Sequence, residues 1–162
     1  MKLDKRDIAL LNELQKNCRQ SLKKLARKFG MSITTVHERM KKLEKKGVIK
    51  GYKAILDPDK TDNSSIIFIL IRLDFRRMEE SNLNQWDVAK KISKLPNLLE
   101  VYAVAGEWDM LLKVRAKDVQ QISQLVMTNL KKIGGVGRTY SIHVWEVFKE
   151  TTELNLGKKI KP

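Results

Sequence analysis

Residues 21–47 read SLKKLARKFGMSITTVHERMKKLEKKG, and this stretch decides the fold of the first third of the chain. Ser21 is placed to cap a short helix that Gly30 ends, because a left-handed glycine commonly follows the last helical turn. Ser32 is placed to cap a second helix, which Gly47 closes in the same way. A single residue separates the two helices, so the stretch predicts a helix-turn-helix.

The sequence on either side completes a winged helix-turn-helix. From Asp4 to Asn17 apolar residues recur at three- and four-residue spacing, which predicts an amphipathic helix capped by Asp4. Downstream, Val48–Leu56 is rich in β-forming residues and is stopped by a proline-containing turn, which predicts a short hairpin, the wing. We therefore expect residues 1–56 to form a DNA-binding domain, followed by a linker at 57–64.

Charge supports a nucleic-acid partner for this first part of the chain. The formal net charge is +14, and residues 1–60 hold 17 Lys and Arg against 7 Asp and Glu, a net of +10. Such an excess indicates a polyanionic partner, which is either nucleic acid or an anionic membrane. The longest apolar run, Ile66–Ile71, is too short to span a bilayer, so we expect a soluble, cytoplasmic, nucleoid-associated protein.

The outward face of the second helix of the pair predicts the DNA contacts. An α-helix fits the major groove, where hydroxyl and charged side chains reach base edges while nearby lysines hold phosphates. A charge run alone more often marks a solvated helix face, but the tight helix pair favours the DNA interpretation. The candidate DNA-binding residues are Ser32, Thr34, Thr35, His37, Glu38, Arg39, Lys41 and Lys42, with Lys23 and Lys24 on the preceding helix.

Residues 65–150 alternate between strand and helix patterns in the order βαββαβ, which is ferredoxin-like and makes the whole chain α+β. Helices cover one face of such a sheet, so its other face needs a cover, and a second copy of the chain is the simplest one. Residues 151–162 form a basic tail that we expect to be loosely ordered from Asn155 onward. The strands are expected at Ser65–Phe75, Leu98–Val104, Met110–Val114 and Val136–Lys149, and the first helix is expected to bury Trp86, Ala89, Ile92 and Leu95.

Over almost its whole length the sequence closely resembles the Lrp/AsnC (feast/famine) family of bacterial and archaeal transcriptional regulators. In the first part the resemblance is carried by Leu3-Asp4 with Asp7, by Ala26, Ser32 and Arg39, and by the run Leu43–Tyr52. In the second part it is carried by Gly106–Asp109 and Thr139–Ser141, which fall where that family places its amino-acid-sensing loop and strand.

The resemblance implies a dimer, often assembled into a tetramer or octamer, in which an amino acid or related metabolite binds between dimers. Effector candidates are then Gly106, Asp109, Thr139 and Ser141. Asp109 offers an anion for an ammonium group, while amides near Gly106 and the two hydroxyls offer donors for a carboxylate. The alternative is structural: a turn glycine, a turn-capping carboxylate and ordinary strand polarity. Trp108 beside them either closes a pocket or fills it.

Two other functions fit parts of the sequence. The oligomer is an architectural, chromatin-like DNA binder if it wraps DNA with little sequence preference. Some relatives with this two-domain plan look like tetrapyrrole decarboxylases, which would need a Tyr or His pocket. No catalytic set of residues is evident, and Cys18, His37 and His143 are too few for a metal cluster. We therefore expect no enzyme activity, no metal and no cofactor other than the amino-acid effector.

Overall fold

The computed structural model describes residues 3–157, and the chain divides into two compact units. The first unit comprises Met1–Ile55 together with Lys149–Pro162, and the second comprises Leu56–Phe148. The first unit is therefore discontinuous, because residues 149–157 pack with it.

Three helices form the first unit, and each begins at the residue that the sequence predicts. The helices are α1 (Lys5–Lys16), α2 (Leu22–Phe29) and α3 (Ile33–Lys45). The side chains of Asp4, Ser21 and Ser32 each accept a hydrogen bond from a first-turn amide, and Gly30 adopts φ +60° at the end of α2. Their common core consists of Leu10, Leu11, Leu14, Leu25, Ala26, Val36 and Leu43.

The predicted wing hairpin is wrong for this single chain. Both Val48 and Ile49 donate their amides to the carbonyl of Leu43, at 2.9 and 3.2 Å, which closes the end of α3. Residues 50–57 then run without strand pairing and are exposed. A strand needs a hydrogen-bonding neighbour, and the described residues supply none for this segment.

The second unit contains a four-stranded antiparallel sheet in the order β2-β3-β1-β4, so the predicted α+β architecture is confirmed. β1 lies at the centre and pairs with both β3 and β4. The strands are β1 (Ser65–Leu73), β2 (Leu98–Ala103), β3 (Met110–Ala116) and β4 (Val136–His143), and the helices are α4 (Phe75–Glu80), α5 (Gln85–Ile92) and α6 (Val119–Gln124).

Three details differ from the predicted elements. The first strand ends at Leu73 rather than Phe75, and α4 follows it in a stretch for which no helix was predicted. The last strand ends at His143 rather than Lys149, because no strand among the described residues continues the pairing there. After α6 the helix widens into a π turn (Leu125–Asn129) and then tightens into a 3-10 turn (Leu130–Lys132), instead of continuing as one α-helix.

The two faces of the sheet have different environments. On one face Ile67, Ile69 and Ile71 are fully buried against α5 and α6. Trp86, predicted to lie in the buried stripe of α5, is instead 80% exposed, and Val88 is buried in its place. The other face, here called the open face, is formed by Phe68, Leu70, Tyr102, Leu111, Tyr140 and Ile142, which no helix of the unit covers.

Candidate nucleic-acid interface and effector segments

Helix α3 divides sharply into a buried side and an exposed side. Val36 and Leu43 are buried in the unit's core, and the residues on the opposite side face solvent. At 100° per residue, Thr34, Glu38 and Lys41 share one line along the helix. Lys45 continues that line and was not among the predicted DNA contacts; its i, i+4, i+7, i+11 spacing with the other three residues is the signal that indicates it.

The other candidates on α3 flank this line, and the candidates on α2 are exposed. His37 lies on one flank and Lys42 on the other, both in solvent. Lys23 and Lys24 are also exposed on the first turn of α2. Lys28, one turn further on, is an ion-pair partner of Glu13, whose pKa it lowers by donating a hydrogen bond. The exposed lysines of both helices leave this surface strongly positive.

Ser32 and Thr35 are held together at the start of α3. The Ser32 hydroxyl accepts a hydrogen bond from the Thr35 amide at 3.0 Å, and the two hydroxyl oxygens lie 2.8 Å apart. Both side chains are thus positioned by the cap itself. The first turn of α3 consequently presents hydroxyl groups beside the free amides of a helix N-terminus, which attract phosphate.

Arg39 lies on a side of α3 that faces α1 rather than on the exposed line. Its Nη1 atom donates to Asp4 Oδ2 at 2.7 Å and to Asp7 Oδ1 at 2.6 Å. These hydrogen bonds raise the pKa of Arg39 and lower that of Asp4. Asp7 is the one buried charged side chain among the described residues. The guanidinium therefore ties α3 to α1, which is a folding role.

The four effector candidates do not converge on one point within the single chain. Asp109 Oδ2 accepts a hydrogen bond from the Leu73 amide at 2.7 Å, so this carboxylate already holds the end of β1. Thr139 pairs with Ile71 on the other side of β1. Asp109 and Thr139 thus lie two strand spacings apart, about 10 Å. Gly106 is exposed, with φ +141°.

An aromatic cluster that no sequence pattern indicated lies on the open face beside this loop. The rings of Trp108 and Tyr140 stack with centroids 6.2 Å apart, and the guanidinium carbon of Arg138 lies 5.6 Å from the Trp108 ring centroid. Thr139 and Ser141 alternate with these residues along β4 and so point to the opposite face. Trp108 packs on the sheet, away from the two hydroxyls.

The described residues contain no helix long and apolar enough to cross a membrane. Within the same part of the chain, no three His, Cys, Asp or Glu side chains are grouped so that they could hold a metal ion. A basic helix-turn-helix unit joined to an α+β sheet unit is the plan of a DNA-binding regulator that carries its sensor in the same chain.

Comparison with known proteins identifies the class more closely. Residues 3–50 match the family model for winged helix-turn-helix DNA binding, and residues 67–154 match the Lrp/AsnC ligand-binding domain. The chain belongs to the Lrp/AsnC family of transcriptional regulators. It is a DNA-binding, ligand-responsive regulator, and the family assignment favours regulation over the enzymatic alternative.

Three relatives illustrate the match. An uncharacterized HTH-type transcriptional regulator of Pyrococcus furiosus is 40% identical over 148 residues, covering 91% of this chain and 96% of the relative. The leucine-responsive regulatory protein of Haemophilus influenzae is 36% identical, covering 95% and 90%. A solved transcriptional regulator of Neisseria meningitidis, in complex with L-Met, superposes with TM-score 0.85 at 30% identity, covering 96% and 98%.

Proposed function

We propose that α3 lies in the major groove of its operator, where Thr34 and Glu38 on its exposed line read bases, while Lys41 and the exposed lysines of α2 hold the DNA backbone. The observation that carries this proposal is the division of α3, in which Thr34, Glu38 and Lys41 face solvent along one line opposite the buried Val36 and Leu43. Arg39 is left out of the reading set because two carboxylates hold it.

Two substitutions on this line distinguish base recognition from contact with the DNA backbone. Thr34→Ala should relax the base preference at one operator position, because a lost base-edge contact costs about 1–3 kcal/mol of discrimination. Lys41→Ala should weaken binding to all sequences alike and reduce the salt slope by about one. The measurement is selection from a random duplex pool, followed by binding titrations at several salt concentrations.

Lys90→Ala is the matched control, because Lys90 is an exposed lysine on α5 of the second unit. It should leave both the base preference and the salt slope of the first unit unchanged. If Thr34→Ala and Lys41→Ala also change neither quantity, the placement of α3 in the groove is wrong. Selection that enriches no motif, with footprints extending over long DNA, would favour the architectural alternative.

We propose further that a second copy of the chain covers the open face and pairs with the unpaired segments. Tyr140 and Ile142 are 54% and 42% exposed on the open face, and Ile55 and Leu56 are 86% and 68% exposed in the unpaired segment after α3. An exposed apolar sheet face such as the open face usually marks an association site. Larger assemblies, such as tetramers or octamers, would build on this dimer, and DNA-bound oligomers would be nucleoid-associated.

The effector that we propose is an amino acid bound at the loop around Gly106 and Asp109, with Thr139 and Ser141 contributed by a neighbouring copy. This arrangement would bring together groups that lie about two strand spacings apart within one chain. The Neisseria relative was solved with L-Met and another relative is named leucine-responsive, so these two amino acids are the first probes.

A bound effector should raise the melting temperature of the full-length protein, because a ligand that binds only the folded state stabilises it by mass action. The measurement is a thermal-shift titration with L-Met, L-Leu and the other amino acids singly. Thr139→Val should abolish the shift while leaving the unliganded melting temperature nearly unchanged. Ser93→Ala, on the distant C-terminal end of α5, is the control. A shift that survives Thr139→Val would contradict this site.

A further inference from the structure

Helix α1 holds the end of the chain through one side-chain amide. The Leu154 amide donates to Gln15 Oε1 at 2.7 Å, and Gln15 Nε2 donates to the Leu154 carbonyl at 3.1 Å. A single carboxamide thus satisfies both backbone groups of one residue, in the manner of a neighbouring strand. The contact recognises extended backbone and does not depend on the side chain of Leu154, which is 69% exposed.

A second contact lies one helical turn earlier on the same side of α1. Asn12 Nδ2 donates to the Leu156 carbonyl at 3.2 Å, and Asn12 and Gln15 are neighbours at i, i+3 spacing. The Leu156 side chain turns inward and packs against the buried core of α1, α2 and α3. Leu154 thus faces solvent, whereas Leu156 supplies the apolar burial of the segment.

Gly157 fits the end of this contact for a steric reason. It adopts φ +75°, and a Cβ atom added there would lie 3.1 Å from Cγ2 of Ile8. A side chain at this position would be strained and crowded at the same time. Ile8, Asn12 and Gln15 follow one another at four- and three-residue spacing, so they line one side of α1. This contact surface is here called the groove.

We infer that this groove is a docking site for an extended peptide of the form Leu-X-Leu-Gly, and that its occupant is the chain's own segment Leu154–Gly157. The groove selects backbone through the side-chain amides of Asn12 and Gln15, and it selects a leucine through the packing of Leu156 against the core of α1, α2 and α3. The occupant is already seated there, and covalent attachment gives it a high effective concentration.

Docking also bears on the DNA-reading helix. The tail contacts the outer side of α1, and the first turn of α1 holds Arg39 of α3 through Asp4 and Asp7. Release of the tail exposes the outer side of α1 to solvent. It thereby weakens the packing of the helix that holds Arg39 of α3. The docked tail therefore favours tight DNA binding; this consequence alone rests on the proposed function.

Hydrogen exchange of the full-length protein tests the docking without DNA. The Leu154 amide should exchange at least tenfold faster in Gln15→Ala than in the wild type, because its acceptor is removed. Gln20→Ala is matched in residue type and substitution; Gln20 bonds to Glu13 and Asn17 instead, so it should leave Leu154 exchange unchanged. An unprotected Leu154 amide in the wild type would overturn the inference.

Peptide binding tests the selectivity of the groove. Leu156→Asp in the full chain should eject the tail, and a labelled synthetic peptide of residues 149–157 should then bind to that variant. Binding should fall at least tenfold when Gln15→Ala is added. Equal peptide binding with and without Gln15→Ala, or none to either protein, contradicts the groove.

Two further readouts identify the occupant and its effect. Cross-links between α1 and the tail in a mixture of heavy- and light-isotope protein should stay within one isotope; mixed links would overturn the same-chain occupant. DNA affinity should fall several-fold in Gln15→Ala and not in Gln20→Ala. If the wild type binds no DNA, the proposed function fails while exchange and peptide binding still decide the docking.

Discussion

Arg39 is a basic residue on the helix predicted to contact DNA, yet its guanidinium holds two carboxylates of α1. Its Nε atom is also buried without a hydrogen-bond partner, so the side chain is set into the protein and not directed outward. Charge alone does not separate Arg39 from Lys41, because both are cations on one helix. The distinction depends on which side of α3 faces α1, and the core packing of Val36 and Leu43 decides it.

Arg39→Ala should therefore act on stability more than on DNA contact. Removing the guanidinium leaves buried Asp7 without its partner, and losing a hydrogen bond to a charged group costs about 1–3 kcal/mol of unfolding free energy. Lys41→Ala, an exposed cation two positions later, should leave the unfolding free energy nearly unchanged. Denaturant unfolding at pH 7 measures both values. Equal stability of the two variants would contradict a stabilising role for the contacts of Arg39 with Asp4 and Asp7, here called the clamp.

Acid titration checks the same clamp independently. The Arg39 hydrogen bond holds the pKa of Asp4 below its ordinary value of 3.8 in the folded state. A carboxyl group with a lowered folded pKa stabilises the fold above its unfolded pKa and loses that contribution as pH falls through the folded pKa. The clamp's contribution should thus be flat from pH 7 to 5 and disappear below about pH 4. In Arg39→Ala that part of the acid transition should be absent.

At the scale of elements, the end of α2 depends on the backbone of a single residue. Gly30 adopts φ +60°, and nothing lies within 4 Å of an added Cβ atom, so a substitution there meets conformational strain without a steric clash. Gly30→Ala should lower the unfolding free energy by about 1–2 kcal/mol. Gly51→Ala is the matched control, because that glycine has equally open surroundings and no positive φ. Similar losses in both variants would show that α2 does not need the left-handed residue.

The same contrast explains which elements could be predicted from the sequence. Helices α1, α2 and α3 have local signals, namely capping side chains and an apolar repeat, and their predicted starts are confirmed. The wing at Val48–Leu56 and the extension of β4 toward Lys149 have β-type composition but no pairing partner among the described residues. Pairing is a long-range property, so composition alone predicted strands that one chain does not form.

The same limit applies to the candidate sites: features set by local periodicity could be predicted from the sequence, and features set by long-range contacts could not. The exposed line of α3 follows from periodicity alone, so Thr34, Glu38 and Lys41 could be selected from the sequence. The stacking of Trp108 on Tyr140 could not, because it joins a loop to a strand across the sheet. Likewise, the composition of the tail suggested disorder from Asn155 onward, but Asn155–Gly157 lies in the docked segment, with Leu156 packed into the core. Lys158–Pro162 lies outside the described residues.

At the scale of the whole molecule, the open face predicts how many DNA half-sites one particle reads. If a second copy covers Tyr140 and Ile142, the particle is at least a dimer, and a two-fold particle reads half-sites about 34 Å apart, one turn of duplex. Ile142→Glu places a charge within that contact. Burying an unpaired charge is costly, so this variant should be monomeric by light scattering.

The monomeric variant should then bind DNA differently as well as more weakly. With one reading unit in place of two, about half as many phosphates are contacted, so the slope of log affinity against log salt should fall to about half of the wild-type value. Footprints should shrink from paired half-sites to single ones. Trp86→Glu changes a residue that is 80% exposed outside the open face, and it should keep both the mass and the slope of the wild type. A monomeric wild type, or an Ile142→Glu variant that keeps its mass and full slope, would show that the open face is not where the copies meet.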